Sequence, residues 1–317
     1  MNRSGGCPVY HLFLTFAADL EQGHAYSVRT GFAAKLKDIA VLFKLRLASL
    51  VVVSAVLGYG LGVPLGGFSI VDALLLALGG LLVTGSSDAF NQVIEVEQDS
   101  RMARTSQRPL VRGSMSVAEA VVLALLAGTA GTVVLWSTFG PLTGILGLLS
   151  LFMYVALYTP MKRLSPWAAF VGAFPGAFPP MLGYVAATGH FGLGPGLVFA
   201  MQFMWQFPHF WSIAWVLNDD YAKAGYHLLP SKGGRDRFSG FLIALYTFFA
   251  LLAGLLPWVF GLTGHWSALV AVLLGLYMLL HALRLMRTLD KADARRLMFA
   301  SFLYLPVVQL AYVLDKL

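Results

Sequence analysis

Apolar residues in this chain are gathered into long runs that are separated by short polar connections. Nine runs recur along the sequence, and each is long enough to cross a bilayer as an α-helix of about 20 residues. Helices are expected because lipid offers no partner to unpaired backbone groups. The pattern predicts an all-α polytopic membrane protein whose nine spans cover residues 41–60, 71–92, 117–137, 141–159, 167–187, 196–217, 239–258, 266–284 and 297–314.

Composition agrees with this pattern. Hydrophobic residues make up 58% of the 317 residues and charged residues only 12%, whereas soluble domains are about 45–50% apolar. The net charge of +7 raises nucleic-acid binding as an option, but basic residues on one side of a membrane explain it better. The only cysteine, Cys7, rules out a disulfide framework within the chain.

Among the connections between runs, lysine and arginine occur only in alternate ones. The connections after the second, fourth, sixth and eighth runs are basic, and the other four contain no Lys or Arg. Because short basic loops stay in the cytoplasm, we expect the N-terminus and the basic connections inside and the C-terminus outside. We further expect residues 1–34 to form an N-terminal cytoplasmic tail and residues 35–317 to form one membrane domain.

The densest charge follows the second run, in "NQVIEVEQDSRMARTSQRPLVR". At 100° per residue, Asn91, Glu95 and Asp99 share a helix face with Asp88, whereas Glu97 falls opposite. Stacked oxygen ligands suit Mg²⁺, which is often shared with substrate phosphates. The alternative is a salt-bridged loop that only fixes orientation. Asp88 and Asn91 favour function, because they lie within the span, where ionisable groups are costly and usually functional.

Several cationic and phenolic side chains near these acids are candidate phosphate contacts. One arginine can donate two parallel hydrogen bonds to phosphate oxygens, and lysine is a candidate in the same role. For each lysine and arginine the alternative is an ordinary cytoplasmic cation that only orients the chain. The candidates are Lys44, Arg46, Arg104, Arg108, Tyr158 and Lys162.

A second polar stripe runs along the sixth run. Gln202, Gln206 and His209 share a face, and the stripe ends at Asp219 and Asp220. Either these groups line a cavity or they form hydrogen bonds between helices. Both charged connections begin with Asn and acids at the membrane edge, so we expect two sites that face each other across a central cavity.

The fifth run contains three prolines, in "GAFPGAFPPMLG". Pro175, Pro179 and Pro180 each lack a backbone donor, so we expect them to kink or break this helix. The freed backbone groups either line a cavity or reflect a helix that is bent for packing.

Three stretches carry a resemblance to a known family: "NQVIEVEQDSRMARTSQRPL", "LYTPMKRLSPWAAFVGAFPGAFPPMLGY" and "WQFPHFWSIAWVLNDDYAKAGYHLLP". The chain resembles the UbiA superfamily of intramembrane prenyltransferases from about residue 35 to its C-terminus, and within it the haem O synthase branch. The resemblance implies transfer of farnesyl from farnesyl diphosphate to a vinyl group of haem B, with water addition, which gives haem O and diphosphate.

The resemblance also implies roles for single residues. The catalytic and metal set, which would bind Mg²⁺, is Asn91, Glu95 and Asp99 with Asp219 or Asp220, and which of these two aspartates is the ligand stays open. The diphosphate set is Lys44, Arg46, Arg104, Arg108, Tyr158, Lys162 and Lys223, and the haem contacts are Gln206 and His209. Two departures affect the metal geometry: Glu95 stands where the family has Asp, and adjacent aspartates followed by Lys223 replace its wider D-x-x-x-D.

The implied partners are farnesyl diphosphate, haem B and membrane lipid, without nucleic acid, and haem A synthase is a candidate protein partner. The implied location is the plasma (inner) membrane. Three alternatives stay open: a prenyltransferase for a quinone precursor or another acceptor, a cation-coupled transporter, and a structural haem-binding protein. Acids and arginines on one membrane side favour the enzyme, because a transporter must open to both sides.

Overall fold

The structure is a computed structural model that describes residues 31–317. The predicted tail, residues 1–34, lies outside the described residues except for its last four positions. The described helices are α1 (Phe32–Leu42), α2 (Leu45–Gly62), α3 (Ile70–Ile94), α4 (Val96–Arg101), α5 (Val117–Phe139), α6 (Pro141–Phe152), α7 (Thr159–Met161), α8 (Ala168–Thr188), α9 (Leu193–Val216), α10 (Asn218–Lys223), α11 (Arg237–Val259), α12 (His265–Thr288) and α13 (Lys291–Leu314).

Within residues 31–317, eight helical segments are long and apolar enough to cross a membrane. They are α2, α3, α5, the continuous segment Pro141–Met161, α8, α11, α12 and α13. The expected span at 196–217 forms the 24-residue helix α9, but its glutamines, histidine and tryptophans lower its mean hydropathy and it is not one of the eight. The chain is therefore an all-helical multi-pass membrane protein, and the count of nine and the orientation stay predictions.

Helix α2 lies centrally in the bundle and packs against α3, α8 and α13. Its crossing with α8 depends on two glycines. A Cβ on Gly183 would lie 1.8 Å from the Ala55 carbonyl oxygen, and one on Gly58 would lie 2.0 Å from that of Pro180. The two backbones are therefore in direct contact, as small residues permit between membrane helices.

The three prolines of the fifth span do not break it, because α8 runs from Ala168 to Thr188 with all of them inside. Pro180 has no N–H, so the Gly176 carbonyl loses its helical donor. Gln202 Nε2 at 2.6 Å and Gln206 Nε2 at 3.0 Å donate to that oxygen instead. These two glutamines of α9 thus form the interhelical hydrogen bonds that were one of the two interpretations of the polar stripe.

Helix α1 is tied to the charged connection between α3 and α5. The buried Asp38 accepts hydrogen bonds from Arg112 and, at 2.7 Å, from Ser114 Oγ. Gln92 Nε2 on α3 donates to the carbonyl of Leu42, the last residue of α1, at 2.7 Å. These contacts hold the junction between α1 and α2, where Lys44 lies, next to the polar end of α3.

Candidate active site

A polar cavity of about 190 Å³ lies where the two charged connections meet. Residues from the α1–α2 junction, the end of α3, the following loop, the end of the fourth span and the segment after α9 line it. They are Lys44, Leu47, Asn91, Glu95, Asp99, Met102, Arg104, Arg108, Tyr154, Tyr158, Lys162, Tyr221, Tyr226 and Leu228.

Asn91, Glu95 and Asp99 all face this cavity. Helix α3 ends at Ile94 and α4 starts at Val96, yet the helical hydrogen bonds continue: the Glu95 amide donates to the Asn91 carbonyl at 3.0 Å and the Asp99 amide to the Glu95 carbonyl at 2.8 Å. The i, i+4 register therefore survives the change of helix. Glu97 points away, with its side chain 68% exposed and paired with Arg101.

Each buried carboxylate at this end of α3 has one cationic partner. The carboxylates would otherwise repel one another and carry a large desolvation cost. Three ion pairs offset both effects: Asp88 with Lys44 at 2.8 Å, Glu95 with Lys162 at 2.5 Å, and Asp99 with Arg108.

The protonation behaviour of the two acids in the connection differs. Burial raises the pKa of Glu95, but the charge and hydrogen bond of Lys162 outweigh it, so this pKa lies below its ordinary value. Burial also raises the pKa of Asp99, and here Arg108 only partly offsets it, so this pKa lies above its ordinary value. Burial lowers the pKa of Lys162, although Glu95 opposes that shift. As the pH falls, Asp99 therefore becomes protonated before Glu95 does.

Lys44 has a strained backbone. Its φ of 44° and ψ of 49° fall in the left-handed region, which costs a residue other than glycine on the order of 1 kcal/mol or more. Its ammonium lies 2.8 Å from Asp88 Oδ1 and 3.3 Å from Asn91 Oδ1. Strain of this kind persists where surrounding contacts hold it and is concentrated at functional sites.

A π-helical turn, Met153–Tyr158, ends the fourth span beside the cavity. Such turns are frequent at functional sites. Thr159 Oγ1 donates to the Tyr154 carbonyl at 2.8 Å and accepts from Asn91 Nδ2 at 3.2 Å, which joins the turn to α3. The Lys162 ammonium lies 5.0 Å from the Tyr158 ring centre and 5.8 Å from that of Tyr226. Two rings and one carboxylate thus fix this lysine.

The second acidic pair lies outside the cavity lining. Asp220 Oδ1 accepts from the Ala103 amide at 3.1 Å and from Lys223 Nζ at 3.2 Å. Asp219 has a 68% exposed side chain and forms two hydrogen bonds with Arg235, at 2.9 and 3.0 Å. Asp220 therefore contacts the loop that carries the arginines, whereas Asp219 faces away from it.

The remaining predicted residues are more scattered. Arg46 is exposed at the start of α2 and does not line the cavity, and the exposed Lys223 contacts Asp220. Gln206 and His209 lie in the middle of α9, also outside the lining. His209 Nδ1 lies 2.9 Å from Ser301 Oγ, and its ring stacks on Trp205 at 4.2 Å.

Sequence reasoning missed several lining residues. Tyr154 lies one helical turn before Tyr158, and Tyr226 lies in the quoted segment "GYHLLP". Their spacing and their segment were available as signals, but phenols in a membrane protein are common enough that neither points to a site without the fold. Tyr226 is buried next to Glu95, and its hydroxyl helps to lower the pKa of that carboxyl group.

The donor atoms fit a divalent cation that takes only part of its coordination from protein. Within residues 31–317, no group of three or more His, Cys, Asp or Glu side chains is arranged to hold a metal ion. Two buried carboxylate oxygens, Asp88 Oδ2 and Asp99 Oδ1, nevertheless accept no hydrogen bond from the part of the chain that the structure describes. Mg²⁺ suits such a set, because it is usually held by one or two carboxylates, waters and substrate phosphates.

Comparisons with known proteins agree with this architecture. The model of the UbiA prenyltransferase family matches residues 47–305. A protoheme IX farnesyltransferase from Cytophaga hutchinsonii is 46% identical over 287 residues, which cover 90% of this chain and 99% of that protein. A digeranylgeranylglyceryl phosphate synthase structure aligns with TM-score 0.73 at 16% identity, over 89% of this chain and 98% of that one. A UbiA homologue from Archaeoglobus fulgidus bound to GPP and Mg²⁺ aligns with TM-score 0.61 at 12% identity, over 87% and 99%. These structures confirm the predicted fold.

Proposed function

Because the chain belongs to the UbiA prenyltransferase family, we propose that it transfers farnesyl from farnesyl diphosphate to a vinyl group of haem B. Water adds to the same vinyl group, diphosphate leaves, and the product is haem O. The similarity to a protoheme IX farnesyltransferase over 90% of the chain favours this acceptor over a quinone precursor. The enzyme acts in the plasma (inner) membrane, and haem A synthase, which would consume haem O, is its proposed partner.

The observation that carries this proposal is the meeting of buried carboxylates and cations around one cavity. An allylic diphosphate ionises only when the charge that develops on the leaving group is neutralised. Lys44, Arg104, Arg108 and Lys162 line the cavity, and we assign them to the diphosphate oxygens. Tyr158 holds Lys162 in place through its ring.

We assign the metal to the facing acids. Asn91, Glu95 and Asp99 would hold Mg²⁺ on the α3 side, and Asp220 is the proposed ligand from the second connection. Mg²⁺ would supply Lewis-acid neutralisation of the diphosphate. The ion pairs keep each carboxylate next to a cation. The carboxylates that would bind Mg²⁺ and the cations that would bind diphosphate therefore lie side by side.

The other cavity walls protect the allylic cation. Leu47, Met102, Tyr154 and Leu228 contribute apolar and aromatic surface beside the charged groups. A carbocation formed there is shielded from water until the acceptor reacts. Because the bundle lies in the membrane, both hydrophobic substrates can reach it through the lipid without crossing the aqueous phase.

Two acids of the same short helix provide a matched test of the site. Asp99→Asn should lower the rate of diphosphate release from farnesyl diphosphate by about 100-fold or more, the scale for losing one electrostatic group in a dry site. Glu97→Gln, on the opposite face, should remain near the wild-type rate. Near-normal activity of Asp99→Asn, or equal losses in both variants, would refute the assignment.

A further inference from the structure

One face of α9 carries side chains that are only partly buried. Gln206, His209, Phe210 and Ile213 follow the spacing i, i+3, i+4, i+7 and are all partly exposed, whereas the tryptophans of the same helix are buried. A helix stripe with this spacing lies on one side. This stripe, residues 206–213, is called the acceptor face below.

The acceptor face adjoins the cavity through an aromatic boundary. The Phe210 ring lies 6.4 Å from the ring of Tyr158, which also lines the polar cavity and holds Lys162. On the other side, the Phe302 ring of α13 meets the His209 ring edge-on at 4.8 Å. A flat apolar ligand on this face would therefore lie next to the group that holds the diphosphate-binding lysine.

The hydrogen bonds of Ser301 determine which His209 nitrogen carries the proton. A hydroxyl has a single hydrogen, and Ser301 Oγ donates it to the Met298 carbonyl at 2.7 Å. With its hydrogen on that carbonyl, Ser301 Oγ accepts from His209 Nδ1–H, 2.9 Å away. The neutral ring then has a bare lone pair on Nε2, and no hydrogen bond to Nε2 forms within residues 31–317.

The ring is also held in orientation. Trp205 stacks on it at 4.2 Å with an interplanar angle of 16°, and the Trp205 indole N–H donates to the Ser301 carbonyl at 2.9 Å. A neutral imidazole whose second nitrogen is fixed by a hydrogen bond is the form in which histidine binds transition metals.

We propose that His209 Nε2 is an axial ligand of the haem iron when the acceptor binds. This inference rests on the proposed function, since it assigns the acceptor side of the same site. Coordination through the iron holds the porphyrin by its centre and leaves its edge, where the vinyl groups are, available for the reaction.

The test is a binding titration without farnesyl diphosphate. Purified wild type, His209→Ala and the control His281→Ala, which removes a partly buried histidine from α12, are titrated with haem B and with metal-free protoporphyrin IX. In His209→Ala alone, the haem Kd should rise about 10-fold or more, the scale for disturbing a metal ligand shell, and the Soret and EPR signature should change. Protoporphyrin IX, which has no iron, should bind as to wild type.

Two further measurements detect a gained spectral signature and do not depend on a loss of haem affinity. Imidazole added to His209→Ala should restore the histidine signature, and His209→Cys should show a thiolate-ligated spectrum. Unchanged haem affinity and signature in His209→Ala would overturn the proposal, and so would equal loss of both porphyrins, which would mark a packing contact. An unchanged haem signature with lost turnover would also overturn it and would mark His209 as a base for water addition.

Haem O formation by the wild type is measured in parallel. If the wild type forms haem O and His209→Ala has the same haem spectrum as the wild type, this inference fails and the proposed function stands. If the wild type binds haem through His209 and forms no haem O, the proposed function fails instead.

Discussion

Lys162→Met tests whether the buried ion pairs hold the site together. The Lys162 side chain is 10% exposed and that of Glu95 6%, and their charged atoms lie 2.5 Å apart. Removing the ammonium leaves Glu95 buried without its main counter-charge. Loss of one partner of a buried pair typically destabilises a protein by about 3–5 kcal/mol, so we expect a decrease of this size in the free energy of unfolding.

The double variant separates stability from activity. Lys162→Met with Glu95→Gln removes both charges, so most of the lost stability should return, because a neutral pair avoids the desolvation cost of an unpaired charge. Activity should not return, since both a diphosphate contact and a metal ligand are missing. Reversible SDS unfolding in mixed micelles, followed by tryptophan fluorescence, measures the free energies, and diphosphate release measures the activity.

The exposed pair Glu97–Arg101 is the matched control. Its side chains are 68% and 52% exposed, so Arg101→Met should cost less than about 1 kcal/mol. If the double variant is as unstable as Lys162→Met alone, or if Arg101→Met costs as much, the reasoning about buried pairing is refuted.

Two further predictions concern pH and the α8–α9 contact. Asp99 loses its charge as the pH falls through a pKa that burial holds above the ordinary value despite Arg108, and metal and diphosphate binding are lost with that charge. Arg108→Gln removes the group that lowers this pKa, so the acidic limb of kcat/KM against pH should move to higher pH, and an unmoved limb would contradict the assignment. In the wild type, Gln206→Met should lower the free energy of unfolding by about 0.5–1.5 kcal/mol. Pro180→Ala gives the Gly176 carbonyl a helical donor, so Gln206→Met should cost less in the Pro180→Ala background. If a double-mutant cycle of these unfolding free energies shows no coupling, Gln206 does not donate a hydrogen bond to this carbonyl.

The positions of the spans and of the acidic ladder could be predicted because both follow from local geometry. Runs of apolar residues match the bilayer thickness, and a fixed 100° per residue places Asn91, Glu95 and Asp99 together and Glu97 opposite. The structure retains that register although the helix changes at Glu95. The helix at 196–217 has a lower hydropathy than the other spans, because the polar groups that make α9 functionally interesting also reduce its apolar character.

Pairings between distant segments could not be predicted from the sequence, because they depend on how helices cross. Lys44 meets Asp88 across 44 positions, and Lys162 meets Glu95 across a longer separation. Asp219 pairs with Arg235 instead of facing the cavity. Lys44, Lys162, Glu95 and Asp219 were candidates for function, but their partners emerge only from the packed bundle.

The role of the glutamines shows the same limit. Gln206 stood out as a polar residue in an apolar run, and its partner is the carbonyl that Pro180 leaves without a donor. Proline and glutamine lie on different helices, so neither the gap nor its compensation is visible in either segment alone. The structure unites two features that the sequence presents as separate anomalies.

The most direct test of the central claim is product formation by the purified protein. Incubation with haem B, farnesyl diphosphate and Mg²⁺, followed by mass spectrometry, should show haem O and released diphosphate, and EDTA should abolish both. Absence of haem O under conditions in which a protoheme IX farnesyltransferase of known activity forms it would contradict the proposed function.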